Sequence, residues 1–166
     1  MVLCASCYAA ENEELKAMSD EIGRFSKILN DEKSKRLIFT GSDNSLLTRH
    51  ALIYLVQNSQ IRVLEAIKLE LHLSILTLHE GKKIPDHLVN AARKQLDEHE
   101  AKSPSLISSL QMERQWKLNT EDLKPEWRAG FTKHTEKCKL RSMMATNIAS
   151  KHIKSIQVIL DAEAKK

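Results

Sequence analysis

Leu46–His79, LLTRHALIYLVQNSQIRVLEAIKLELHLSILTLH, is the stretch on which the fold turns. Placed at 100° per residue, it is apolar around most of its circumference. His50, Gln57, Glu65, Lys68, His72 and His79 fall on one narrow polar stripe. A helix wetted along so thin a strip is expected to be buried on its other sides, as the central helix of a bundle. At 1.5 Å per residue it reaches about 50 Å, provided Asn58-Ser59-Gln60 does not break it in two. Arg49, Arg62, Glu65, Lys68 and Glu70 interrupt its apolar run, so it does not read as a membrane span.

The flanking sequence extends the same reading. Four Gly, three Pro and 4% aromatics in 166 residues leave little material for β-turns or strand faces. The fold expected is therefore all-α: a bundle of about five helices forming one domain over 1–166. Residues 1–8 read as a frayed N-terminus. From Ala9 to Leu29 a helix is expected on a heptad pattern, with Tyr8, Leu15, Ile22 and Leu29 every seven residues and Met18 and Phe25 between them. Leu15, Met18, Ile22, Phe25 and Leu29 need a facing surface. The partner is another helix of the same chain or a second copy. Because the central helix already occupies much of the core, the seam is assigned to a homodimer interface, with the long apolar helix as the other candidate face. Gly81 closes the central helix, and Pro85 opens another through Lys102. Ser103-Pro104 reads as the start of a separate short helix, and Trp116 to Gly130 as irregular. A last helix is expected over 131–162.

Charge is distributed unevenly along this framework. Residues 1–127 carry seventeen Lys and Arg against nineteen Asp and Glu, whereas 128–166 carry nine against three. Between Arg128 and Lys154 the only acid is Glu136. On the last helix Lys133, Lys137 and Lys151 project together, with Arg141 and Lys154 on their flanks, and Phe131, Cys138, Ala145, Ala149, Ile156 and Leu160 lie opposite. Solvated helix faces usually intersperse signs, so this pattern points to a polyanion. Lys82 and Lys83 add a second basic cluster. The chain has no exposed-aromatic reading motif and no GxxG loop, so backbone contact with double-stranded nucleic acid, RNA ahead of DNA, is the function expected. The alternative is a helical protein-interaction or assembly subunit whose lysines only solubilise it.

Cys4 and Cys7 have zinc-ligand spacing, and His134 and Cys138 stand at i and i+4 on one helix. Together they would form a Cys₃His site; read separately, Cys138 is a buried core residue and the other two lie in a loose end. No cofactor is expected otherwise. Three cysteines make no closed disulfide framework, and the first residues lack a signal-peptide pattern, which points to an intracellular protein, cytoplasmic or nuclear. No P-loop, GxSxG elbow or HExxH motif occurs, and the chain is not expected to be an enzyme.

Overall fold

The computed structural model describes the backbone of residues 5–165 and the side chains of 11–165. It is all-α, with α1 (Ala5–Asn30), α2 (Glu32–Ile38), α3 (Asp43–Thr77), α4 (Asp86–Gln115), a 3-10 turn (Thr120–Asp122) and α5 (Pro125–Glu163). No strand occurs among the described residues, and Phe39 and Leu123 form an isolated antiparallel bridge. The bridge has an architectural consequence. Thr40 N–H donates to the Asp122 carbonyl at 3.1 Å and Lys124 N–H to the Ile38 carbonyl at 2.9 Å. The segments that launch α3 and α5 are thereby stapled side by side, and Thr48 Oγ1 donates to the Asp122 carboxylate just above.

From this shared origin α3 and α5 run parallel. Midway, Ser59 Oγ donates to the Cys138 carbonyl at 3.1 Å and lies 2.5 Å from Ser142 Oγ. At the far end Ile84 N–H reaches Glu163 at 3.2 Å. The two axes approach closely because the facing residues are small: Ser59, Ala66, Ser142, Ala145 and Ala149 are all buried. The helices α1 and α4 run antiparallel to α3 on either side of it. Leu29 lies beside Arg49 while Glu11 lies near Glu70, and Glu113 meets Arg62 while Lys102 meets Glu65. The long helices thus alternate direction in chain order, with α3 touching all three others.

Local chemistry explains most of the boundaries. Ser42 caps α3 through the Ser45 N–H at 3.2 Å, and Asp31 caps the short α2 through the Ser34 N–H at 2.9 Å. Pro125 stands at the start of α5, where a missing N–H costs nothing. Gly41 and Gly81 adopt φ of +86° and +77°, a region that side chains with a Cβ resist, at the turns into α3 and out of it.

Four expectations from sequence are corrected here. The helix α1 begins at Ala5, inside the stretch expected to fray. The helix α5 starts at Pro125 rather than Phe131, so of the stretch expected to be irregular only 116–124 lacks α-helix. Pro104 does not open a new helix, since α4 runs unbroken through it. Proline there removes one backbone hydrogen bond, but α4 is anchored on both sides of the lesion, by Lys102 on Glu65 and by Arg62 on Leu106, Ser109 and Glu113. The fourth correction concerns the heptad seam. Leu15, Met18, Ile22, Phe25 and Leu29 are each at most 5% exposed, filling the groove that α3 and α5 form within one chain. They form a core stripe, not a dimer interface. Phe25 continues into an edge-to-face contact with Phe131, ring centroids 5.4 Å apart.

Candidate interaction surfaces

The basic face of α5 survives only in part. Lys133, Lys151 and Lys154 are exposed and make no ion pair among the described residues. Lys137 and Arg141 lean instead toward α1. Lys137 Nζ lies 3.4 Å from Glu21 Oε1, and Arg141 pairs with the other carboxylate oxygen. The Arg141 hydrogen bond holds the Glu21 carboxyl down at about 2, so the acid stays ionised and neutralises its partners. Sequence periodicity put the five cations toward one side of α5. It carried no signal that an acid 116 residues away would meet two of them. Lys82 and Lys83 lie exposed in the turn after α3, at the Lys154 end of the bundle. Between Lys133 and Lys154, about 31 Å apart along the helix, the outer face also carries exposed Leu140.

Of the residues considered for zinc, His134 and Cys138 lie far along the bundle from the backbone of Cys7. His134 stacks on Phe25 with centroids 5.1 Å apart, and Phe25 stands eighteen residues beyond Cys7 on α1, about 27 Å along the axis. Cys4 lies outside the described residues. Cys138 is buried, and desolvation pushes its thiol up to about 11. No group of three or more ligating side chains suited to a metal occurs among the described residues.

The polar stripe expected on α3 divides. His50, Gln57 and Lys68 are exposed and His72 and His79 half-buried, but Glu65 is buried. Its Oε1 accepts from Lys102 at 2.9 Å and Lys68 at 3.4 Å, and His99 Nδ1 lies 3.7 Å from Oε2. One turn earlier Arg62 is equally enclosed. Its guanidinium donates to Glu113 at 2.6 Å, Ser109 Oγ at 2.5 Å and the Leu106 carbonyl at 3.0 Å. These buried charges tie α4 to α3 and line a cleft of about 530 Å³ that α4 shares with α5.

What water meets on α3 is largely hydrocarbon. Leu47, Tyr54, Ile61, Leu64, Leu71 and Leu78 are between 45% and 80% exposed. Leu47, Tyr54 and Ile61 are spaced by seven residues, as are Leu64, Leu71 and Leu78, and three residues separate the two sets. These are a positions in the first half and d positions in the second half of a heptad pattern about 46 Å long, with His50, Gln57, Lys68 and the half-buried Ile75 in the remaining a and d places. Its six side chains leave roughly 600 Å² of apolar surface in water, the upper end of what a monomer usually shows. The signal was present in the sequence, since α3 is apolar all round. Only the packing distinguishes the buried seams of α3 from the one left facing solvent.

These features define a class: an all-α bundle bearing one apolar helical seam and one thinned basic face. No helix among the described residues is long and apolar enough to cross a membrane. Compared with protein-family models, with curated proteins and with solved structures, the chain matches nothing.

Proposed function

We propose that the protein is a non-catalytic interaction module that takes an amphipathic partner helix on the outer face of α3. The observation that carries this reading is the heptad spacing of Leu47, Tyr54, Ile61, Leu64, Leu71 and Leu78, all left in water along one side of α3. Exposing this much apolar side chain on one helix is costly for an isolated domain, and a helix of matching a/d spacing is the shape that covers it. Beside Tyr54 an apolar notch of about 190 Å³, walled by Leu55, Met112 and Trp116, offers a pocket for one anchoring side chain. The test is a labelled synthetic peptide with leucine at every a and d position of its heptads. It should bind the parent protein and lose binding to a Leu64→Glu/Leu71→Glu variant. Equal binding by that variant would refute the reading.

A second reading keeps duplex nucleic acid, RNA ahead of DNA, as a partner of α5. Its support is the exposure of Lys133, Lys151 and Lys154 on one face. Three phosphate contacts give a slope of log affinity against log salt of about −3. Replacing Glu21 with Gln frees Lys137 and Arg141 and should steepen that slope. A parent chain without salt-sensitive binding to any duplex would remove this reading.

A further inference from the structure

We infer that the partner helix is α3 of a second copy of this chain, laid antiparallel across a two-fold axis that passes between Arg62 and Val63. The inference rests on the interaction-module reading and adds the identity of the occupant. It comes from the order of residues along the exposed seam. A two-fold axis at that point pairs each residue with one equally far on the other side, so that a positions face d positions, as an antiparallel helix pair requires.

Ile61 then faces Leu64 of the second copy, Tyr54 faces Leu71, and Leu47 faces Leu78. All six exposed apolar residues of the seam find apolar partners, and symmetry makes each contact twice. Of the three polar residues in the seam, Gln57 and Lys68 match, whereas His50 faces the half-buried Ile75. Gln57 meets Lys68, so an amide and an ammonium share one layer instead of each facing a leucine. Sliding the register by one heptad in either direction breaks this match. It sets Ile61 against Gln57 in one case and Leu64 against Lys68 in the other. Only this antiparallel register gives all six exposed apolar residues apolar partners, with one His50–Ile75 layer as its cost.

A second copy can add area that the seam alone lacks. The seam's roughly 600 Å² falls short of the ~800 Å² per partner of a standard interface. The second copy's Leu71, placed over Tyr54, also reaches the Met112 and Trp116 notch, which enlarges the buried area. An isolated helix would bury less, because it has no flanking helices to meet α1 and α4.

Three measurements on the full chain decide the matter. Light scattering over a range of concentrations should report two chains for the parent and one for Leu64→Glu/Leu71→Glu. Dissociation should be at least about a hundredfold easier in that variant, since each dimer would bury four carboxylates in place of four leucines. The register is read by disulfide trapping in chains with Cys4 and Cys7 replaced by Ser, Cys138 remaining shielded in the core. A Leu47→Cys chain mixed with a Leu78→Cys chain should cross-link on mild oxidation, while neither should do so alone. Within one chain these sites are about 46 Å apart and cannot bridge. Cross-linking of Leu47→Cys to itself would mean a parallel pair and overturn the inference, as would a parent that stays monomeric at every concentration. The heptad peptide separates the two failures. A monomer that still binds it loses only the second copy, and a monomer that ignores it loses the interaction module too.

Discussion

Replacing Glu113 with Ala should destabilise the bundle severely, while replacing Glu113 and Arg62 together with Leu and Met should not. The side chains of Arg62 and Glu113 are 2% and 3% exposed, and their charges meet at 2.6 Å. Removing the carboxylate leaves a guanidinium enclosed by α3 and α4, with only Ser109 Oγ and the Leu106 carbonyl as neutral acceptors. A buried charge stripped of its counter-ion costs about 3–5 kcal/mol, against about 5–15 kcal/mol for the whole stability of a typical domain. The pair itself is imperfectly satisfied. Arg62 Nε and Glu113 Oε2 have no hydrogen-bond partner among the described residues, so part of the desolvation cost is never recovered. Two apolar side chains of similar volume avoid that cost, and the double variant should fall within about 1 kcal/mol of the parent or above it. Urea denaturation of parent, both single variants and the double, at one protein concentration, measures the cycle. A Glu113→Ala loss below about 1 kcal/mol, or a double variant as damaged as the single, would refute the argument that this pair is sealed from water.

Ser142→Leu should lower the thermal midpoint by an amount equivalent to about 1–3 kcal/mol or more, because the α3–α5 approach leaves no room for a larger side chain; an unchanged midpoint would mean the two helices stand further apart. Glu70 is enclosed by the core, and desolvation, reinforced by Glu11, raises its carboxyl to about 7. Its folded form therefore holds the proton more tightly than its unfolded form. Its contribution to stability should decline as pH rises from about 4.5 through about 7. His72, His134 and His152, held below the usual histidine value by burial, act in the opposite sense over part of that range. The difference between the urea-midpoint curves of the parent and Glu70→Gln isolates the Glu70 share. The opposite contribution of Glu21, lost as pH falls toward 2, lies outside this window. A parent and a Glu70→Gln variant with the same pH dependence between 4.5 and 7 would place Glu70 in water.

The class of fold was legible in the chain because helix formation writes its period into local sequence. The long α3, the heptads of α1, and the turns at Gly41 and Gly81 followed from residues within a few positions of one another. Pro104 shows the limit of local signals: its break was overridden by contacts from α3 that no neighbouring residue announces. The candidate surfaces divide along the same line. Composition showed α5 to be basic, but only the packed bundle set Glu21 against Lys137 and Arg141. Periodicity gave α1 a seam, and only the packed bundle filled that seam from within the chain. It was also packing that left the Leu47 to Leu78 face of α3 in water. A helix's period depends on its own residues, so sequence determines which side chains share a face. Which face meets which depends on axial distance, helix direction and side-chain volume across the whole chain, and those are settled only when the helices close on one another.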